Sequence, residues 1–356
     1  MGIAVRIIRA KTTPKAGEII ISRSNTETLV GASAYIDSNH ENLYLADKLW
    51  QTISKPNIDM KWLSYTLASD HSRHTLSKLA TGTSGSMKNI TKGELLTLKV
   101  PTPPFSEQRK IAQILSTWDK AIITTESLIT NSQQQKKPLM QQLLTGKKRF
   151  AGFELEWDIK TFSDFFTVGS SKRVLQSEWR DSGVPFYRTR KLVSFSKREP
   201  FRSEIFISEE LYINLKDKYG LPTEGDFLVS GVGTLGISYL VQKGDKFYFK
   251  DGNVLWFKKN VQLNSSFFKY CFHSRFVQNQ ILNQTTITTV GTYTITNAKK
   301  TKFLCPPSHE EQQKIASVLT AADQEIDTLQ QKLAYLKQEK KALMQQLLTG
   351  KRRVVV

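Results

Sequence analysis

The chain has 356 residues and a formal charge of +19, since it contains 51 Lys and Arg but only 32 Asp and Glu. This surplus of positive charge favours an anionic partner, of which nucleic acid is the usual one. The length allows two ordinary domains, and 39% hydrophobic with 10% aromatic residues argue against wholesale disorder. No apolar run approaches the roughly 18–20 residues of a membrane span and no signal-peptide pattern opens the chain, so we expect a cytoplasmic protein.

Residues 1–104 are predicted to form a first globular module of short strands and helices. Residues 17–22 read as a strand, and they match residues 225–230 later in the chain. Extending this match backwards places Met1 opposite a point near Glu209. We therefore expect the first module to lack the N-terminal portion that the second module has.

Residues 105–149 follow the proline pair Pro103-Pro104 and are predicted to form a long helix. Seam positions recur at alternating steps of four and three residues, the a/d pattern of a coiled coil. The seam comprises Ile111, Leu115, Trp118, Ile122, Thr125, Ile129, Ser132, Lys136, Leu139 and Leu143. Pro138 is expected to remove one helical hydrogen bond and to kink the helix near its end. The helix is expected to stop at Thr145-Gly146.

Residues 150–307 are predicted to form a second α+β module. Strand candidates are 184–188, 226–230, 237–241, 246–250 and 254–257, and a helix is expected over 266–272. Cys271 and Cys305 are the only cysteines of the chain and have apolar or aromatic neighbours. We expect two buried thiols, with neither a disulfide framework nor a zinc site.

Residues 308–356 repeat the first helix. Residues 107–115 return in similar form as 311–319, and the nine residues from Leu139 return unchanged from Leu343. The same seam continues through Ile315, Leu319, Ala322, Ile326, Leu329, Leu333, Leu336, Lys340, Leu343 and Leu347. A shorter match pairs residues 71–73 with 273–275 in the modules.

The two predicted helices are each about 40 residues, or roughly 60 Å, far longer than a helix in an average globular domain. We expect them to pair antiparallel between the two modules, although each could instead pack only on its own module. Both seams carry a lysine at one a position, Lys136 and Lys340. A polar a position weakens a coiled coil but can fix its register or partner.

Two variable modules, each followed by Pro-Pro, a Glu-Gln-x-x-Ile-Ala-x-x-Leu helix and Leu-Met-Gln-Gln-Leu-Leu-Thr-Gly, resemble the specificity subunits of bacterial type I restriction-modification systems. The resemblance covers the whole chain. It implies an α+β fold in which two globular target recognition domains are separated by two long helices that form an antiparallel coiled coil. The corresponding segments are 1–104, 105–149, 150–307 and 308–356, and the short first module departs from the family pattern.

The same resemblance implies a non-catalytic subunit that directs methylation and restriction subunits to a bipartite target in double-stranded DNA. Two methylation subunits are expected to dock on the long helices. S-adenosylmethionine, ATP and Mg²⁺ are expected on the partner subunits, with no cofactor bound by this chain. Partner contacts are expected at Glu107, Gln108, Ile111, Leu115, Gln141, Leu144, Glu311, Gln312, Ile315, Leu319, Gln345 and Leu348.

Basic, hydroxyl-bearing and glycine-rich segments are the candidate DNA contacts. Residues 187–191 concentrate donors after a strand, where arginine can contact guanine edges or phosphates, or they form a solvated basic turn. Residues 230–236 have Gly-x-Gly-x-x-Gly spacing but lead into a strand, so a hairpin that DNA can approach closely fits better than a dinucleotide site. The hydroxyl-rich segments 81–88 and 285–293 lie near the DNA-facing ends in the family pattern, or are ordinary turns.

These segments give the predicted DNA contacts. In the second module they are Tyr187, Arg188, Thr189, Arg190, Lys191, Ser230, Gly233, Thr234, Lys250, Thr292 and Tyr293. In the first module they are Arg23, Ser24, Asn25, Thr83, Ser86 and Lys88.

Catalytic and metal-binding patterns are absent from the sequence: it has no adenine-methyltransferase motif, no Walker A loop and no partnered histidine. We therefore expect neither a catalytic nor a metal site. Two other classes stay open, namely a coiled-coil adaptor whose basic modules bind no specific sequence, and a nuclease or nucleotide-binding enzyme that uses the glycine loop. Sequence-independent binding would indicate the first, and activity of the purified chain the second.

Overall fold

The structure is a computed structural model that describes residues 12–84, 87–197, 199–201, 204–283 and 291–355. It divides into two compact units. The first comprises the residues up to Ile129 and those from Thr328 onward, and the second comprises Thr130–Asp327. Each of the two long helices contributes one part to each unit.

The first unit contains short strands and helices together with the beginning of the first long helix. They are β1 (Ile19–Ser22), β2 (Ser24–Asn25), β3 (Ser33–Tyr35), β4 (Leu49–Gln51), α1 (Met60–Ala68), α2 (Asp70–Leu79), β5 (Thr81–Ser84), β6 (Met87–Asn89), α3 (Lys92–Leu96) and α4 (Phe105–Leu144). The strands form two antiparallel sheets, in the orders β3-β1-β4 and β2-β6-β5. Alternate residues Ile19 and Ile21 of β1 are buried, as the two-residue period of a strand requires.

The second unit contains the remaining elements. They are β7 (Asp158–Thr161), β8 (Phe166–Gly169), β9 (Val184–Tyr187), α5 (Thr189–Lys197), β10 (Phe206–Ile207), α6 (Glu209–Tyr219), β11 (Phe227–Ser230), β12 (Ser238–Leu240), β13 (Tyr248–Phe249), β14 (Val254–Lys259), α7 (Ser265–Phe272), α8 (Arg275–Asn283), α9 (Ile295–Lys300), β15 (Lys302–Cys305) and α10 (His309–Leu347). Four strands form an antiparallel sheet in the order β12-β11-β14-β8, and β9 lies between β10 and the parallel strand β13.

A cluster of phenylalanines forms the core of the second unit. Phe268 of α7 is fully buried, with its ring centroid 4.5 Å from Phe166 and 5.0 Å from Phe162 and Phe227. Such edge-on and tilted contacts add to the free energy gained by removing the rings from water. Cys271 and Cys305 are free thiols, and both are buried, as the sequence predicts.

The predicted secondary structure of the second module is confirmed in outline. The five strand candidates correspond to β9, β11, β12, β13 and β14, and the predicted helix corresponds to α7. β13 is only two residues long, although a five-residue strand was expected. The helix α4 continues through Pro138 to Leu144.

The two long helices run antiparallel in both units. In the first unit, Lys340 of α10 pairs with Asp119 of α4, while the earlier residue Lys337 pairs with the later residue Glu126. In the second unit, Lys136 pairs with Asp323, while Ser132 contacts Glu325. In both units the residue numbers on one helix rise as those of their partners on the other helix fall, which confirms the predicted antiparallel pairing.

Each seam lysine belongs to its own polar cluster, which contains an aspartate of the other long helix and a tyrosine of the module. Asp119 accepts hydrogen bonds from Lys340 and from the hydroxyl of Tyr65, each at 2.5 Å. In the second unit, Asp323 accepts from Lys136 and, at 2.8 Å, from the hydroxyl of Tyr270. Each polar a position therefore has a charged partner, and each cluster ties the helix pair to its own module.

Candidate nucleic-acid interface

The junction between β9 and α5 places three of the predicted DNA contacts at one cavity of about 750 Å³ in the second unit. Tyr187 ends β9 and Thr189 begins α5, so Arg188 lies at the turn between a strand and a helix. Arg188, Thr189 and Arg190 all line the cavity. The predicted basic turn is therefore the start of a helix.

The glycine-rich hairpin between β11 and β12 forms another part of the cavity wall. Gly233 and Thr234 are exposed there and line the cavity. Gly233 has φ +84°, and a Cβ added at this residue would meet nothing within 4 Å. The loop leads from a strand into an antiparallel strand, which confirms the hairpin and is not the strand-to-helix turn of a dinucleotide site.

Cationic side chains give the cavity its charge. Arg188, Arg190 and Lys250 line it, against the single carboxylate of Glu199 among the described lining residues. Burial lowers the pKa of Arg188, and the positive charge of Arg190 adds to the effect. Lys250 pairs with Asp251 at 3.3 Å. The excess of positive charge is suited to an anionic or acceptor-rich ligand.

The rest of the lining is polar or apolar. The hydroxyl of Thr189 donates to the backbone carbonyl of Asn253 at 3.2 Å, and Asn253 also lines the cavity. Trp179, Phe201 and Val232 supply apolar surface. Trp179, Phe201 and Asn253 were not singled out from the sequence, because they come from separate segments that only the folded chain brings together.

Several predicted DNA contacts instead hold the fold. Ser230 is fully buried, and its hydroxyl bonds to both backbone groups of Ile237 across the hairpin. Tyr293 is 1% exposed and its hydroxyl lies 2.6 Å from Oγ1 of Thr301. These two side chains are not available to DNA, so both predictions are wrong.

Three further residues are partly occupied by internal contacts. Tyr187 stacks on Phe247 with ring centroids 4.5 Å apart. The ammonium group of Lys191 pairs with Glu204 at 2.5 Å. Thr292 forms a backbone bridge with Val232, which places it beside the hairpin. Of the predicted loop 285–293, residues 285–290 lie outside the described part of the chain.

Five of the six predicted contacts of the first unit lie on or directly beside the sheet β2-β6-β5. Ser24 and Asn25 of β2 pair with Asn89 and Lys88 of β6, and Arg23 immediately precedes β2. Ser24 is buried, so its prediction as a DNA contact is corrected. Thr83 belongs to β5, while Ser86 lies outside the described residues.

Ten of the twelve predicted partner contacts are buried within this chain, which corrects the expectation that they face another subunit. They are Glu107, Gln108, Ile111, Leu115, Leu144, Glu311, Gln312, Ile315, Leu319 and Leu348. The other two, Gln141 and Gln345, are exposed.

The buried glutamate of the helix motif makes the same kind of ion pair in each unit. Glu311 accepts two hydrogen bonds from Arg149, at 2.8 and 2.9 Å, and Glu107 accepts two from Arg353, at 2.6 and 2.7 Å. The Arg353 contact lowers the pKa of Glu107. These bidentate pairs satisfy carboxylates that would otherwise be costly to bury.

Two matched grooves lie beside the ends of the long helices. In the second unit, Met140, Gln141, Leu144 and Thr145 line a groove of about 640 Å³ together with His273. The first unit has a groove of about 430 Å³, which is lined by the equivalent residues Met344, Gln345, Leu348, Thr349 and His71. The unchanged sequence motif thus builds one apolar surface twice.

The described part of the chain contains no cluster of three or more His, Cys, Asp or Glu residues that could hold a metal ion. No helix of the described residues is both long enough and apolar enough to cross a membrane.

Comparisons with known proteins identify similar chains. A putative type I restriction enzyme specificity subunit of Haemophilus influenzae is 29% identical over 65% of this chain and 57% of its own length. The MjaVIII specificity subunit of Methanocaldococcus jannaschii is 26% identical over 72% of this chain and 63% of its own. This chain therefore matches somewhat less than two thirds of the length of these two relatives.

A solved S subunit of a type I restriction-modification system from M. genitalium has a similar fold, with a TM-score of 0.62, 16% identity and coverage of 96% of this chain and 84% of that one. The family model described as type I restriction modification DNA specificity domain matches residues 7–132 and 154–338. Since these two segments make up most of the sequence, the chain belongs to the family of type I restriction-modification specificity subunits.

Proposed function

We propose that this chain recognises a specific sequence in double-stranded DNA on behalf of a type I restriction-modification complex and carries no catalytic group itself. The observation that carries the proposal is the cavity where Arg188, Arg190 and Lys250 meet the exposed hairpin turn of Gly233 and Thr234. Phosphate contacts from such cations supply affinity, and side chains that reach base edges supply specificity.

The target is bipartite in this proposal, with one half-site for each module. The second module reads its half-site through the cavity, and the first module through the sheet that carries Arg23, Asn25 and Lys88. The paired long helices, of roughly 60 Å each, keep the half-sites at a fixed spacing. This length exceeds the 34–36 Å of one DNA turn, which allows both half-sites to lie on one face of the duplex.

Two methylation subunits dock on this chain, one at each of the matched grooves. The grooves share methionine, leucine, glutamine and threonine at equivalent positions, so one partner surface fits both. Gln141 and Gln345 are the exposed members of the repeated motif. Restriction subunits join the same complex, and the partners bind S-adenosylmethionine, ATP and Mg²⁺.

The test is to co-express the chain with the methylation subunit encoded beside it and to map N6-methyladenine in the host DNA. A bipartite motif with a fixed gap is expected. Replacing residues 154–305 by the module of a relative with another target should change one half-site and leave the other. If both half-sites change, the assignment of one half-site to each module is wrong.

Controls separate the competing functions. The same methylation subunit must be active with another specificity subunit, so that lack of methylation can be attributed to this chain. Salt-sensitive DNA binding without any preferred sequence would indicate an adaptor. Nuclease or nucleotide-dependent activity of the purified chain alone would indicate an enzyme.

A further inference from the structure

We propose that Arg188 reads a guanine in the half-site of the second module, that Trp179 positions its side chain, and that Arg190 contacts the DNA backbone. This assignment rests on the proposed function and adds to it the identity of one base. The assignment follows from the contacts of the cationic groups around the cavity, which differ from one group to the next.

Arg188 combines a fixed position with unused donors. Its guanidinium carbon lies 5.4 Å from the centroid of the Trp179 ring, within the range of a cation–π contact. Its backbone carbonyl accepts hydrogen bonds from Lys191 and Leu192 and so anchors the residue at the start of α5. Within the described part of the chain, no hydrogen bond or ion pair engages the guanidinium, so its five N–H donors are free for a ligand.

The other cations lack this combination. Lys250 and Lys191 are both engaged by carboxylates of the chain. Arg190 is exposed on the first turn of α5, with no aromatic ring over it among the described residues. An exposed arginine without a ring over it is suited to a phosphate, which can be contacted from many directions, whereas a planar group held on a ring is suited to one fixed edge.

The surroundings of Arg188 favour a base over a phosphate. Val193, Phe201 and Val232 line the same cavity and offer apolar surface to the faces and edges of a base. Next to these three side chains a phosphate would lose water without gaining a hydrogen-bond donor. Among the bases, guanine presents two acceptors, O6 and N7, that match the guanidinium fork. The expected target therefore contains guanine at the position that Arg188 faces.

The test is selection from a library of random duplex DNA by the full chain, followed by sequencing of the bound fraction. The variants are Arg188→Lys, which keeps the charge but loses the planar fork, Trp179→Leu, and Arg190→Ala. The exposed Arg109→Lys, on α4 in the first unit, is the matched control. Circular dichroism and thermal melting establish that each variant is folded.

The wild type and Arg109→Lys should select the same bipartite motif, with guanine at a specific position of one half-site. Arg188→Lys should reduce that preference by about 5- to 150-fold, the range for loss of one bidentate contact, and leave all other positions unchanged. Trp179→Leu should weaken the same preference partially. Arg190→Ala should weaken binding to all sequences alike. It should also reduce by about one the slope of the logarithm of the binding constant against the logarithm of the salt concentration.

The outcomes separate this inference from the proposed function. If Arg188→Lys selects the wild-type motif unchanged, or binds all sequences equally less well, Arg188 does not read a base and the inference is overturned. If the wild type itself selects no sequence, the proposed function fails instead. Arg188→Gln provides a second variant in which the charge is removed, and it should lose the same guanine preference.

Discussion

The polar cluster on the helix pair of the second unit predicts a measurable loss of stability in Tyr270→Phe. This change removes the 2.8 Å hydrogen bond to Asp323 and a longer contact of 3.2 Å with the hydroxyl of Thr320, and it leaves the ring in place. A hydrogen bond to a charged partner contributes about 1.5–3 kcal/mol. Because the Asp323 side chain is 29% exposed, water replaces part of the lost bond. We therefore expect the free energy of unfolding to fall by about 1.5 kcal/mol, the lower end of this range.

Urea denaturation followed by circular dichroism measures this loss. For a slope of about 3 kcal/mol per molar urea, the midpoint should fall by about 0.5 M. Tyr335→Phe is the matched control, since Tyr335 lies on α10, the helix that carries Asp323, and is 61% exposed, so its change should leave the midpoint unchanged. Tyr65→Phe should destabilise the first unit by a similar amount. Equal midpoints for Tyr270→Phe and Tyr335→Phe would refute the reasoning, because the cluster would then contribute nothing to stability.

Three further predictions concern strain, pH and assembly. Gly183→Ala should cost about 3 kcal/mol in urea unfolding, because at φ +123° its Cβ would lie 2.4 Å from a backbone oxygen, whereas Gly233→Ala at an open turn should cost about 1 kcal/mol. Burial raises the pKa of the Tyr293 hydroxyl, so as the pH rises the unfolded chain loses this proton at a lower pH than the folded chain does. The free energy of unfolding should therefore fall as the pH rises above about 10, and it should fall less steeply in Tyr293→Phe. Gln141→Arg with Gln345→Arg should prevent co-purification of the methylation subunit, because both grooves then carry a bulky charge, while each single variant should retain one bound copy.

The long helices could be predicted from sequence because their signal is local and repeated. The a/d seam gives the residues that face inward, and Ile111, Leu115, Ile315 and Leu319 are all almost fully buried. The antiparallel pairing followed from two similar long seams in one chain. The charged partners of the seam lysines could not be predicted, because they depend on the register between two segments far apart in sequence.

The candidate site was predicted only in part. The basic run after β9 and the glycine hairpin were found from composition and spacing, and the fold brings Arg188 and Thr234 to one cavity. Composition does not determine which hydroxyls face inward. Ser230 is used to close the hairpin, and Tyr293 is buried against Thr301, although both have the side-chain chemistry of a DNA contact.

The polar residues of the repeated helix motif make hydrogen bonds inside the chain, although their side-chain chemistry is typical of a surface. In the first unit, the side chain of Gln108 accepts from the backbone of Asp59, the N-cap of α1, and donates to the carbonyl of Pro103. In the second unit, Gln312 makes the same two contacts, to the N-cap Asn264 of α7 and to Pro306.

The equivalent networks explain how two modules of different sequence attach to one repeated helix motif in this chain. Each module contacts the helix motif through a backbone amide at an N-cap, and a backbone amide is present whatever residue supplies the cap. The Glu107–Arg353 and Glu311–Arg149 pairs lie on the helices and the segments that follow them, so they too are independent of module sequence. A module residue outside these contacts can therefore change without loss of the hydrogen bonds that attach the module to the helix pair.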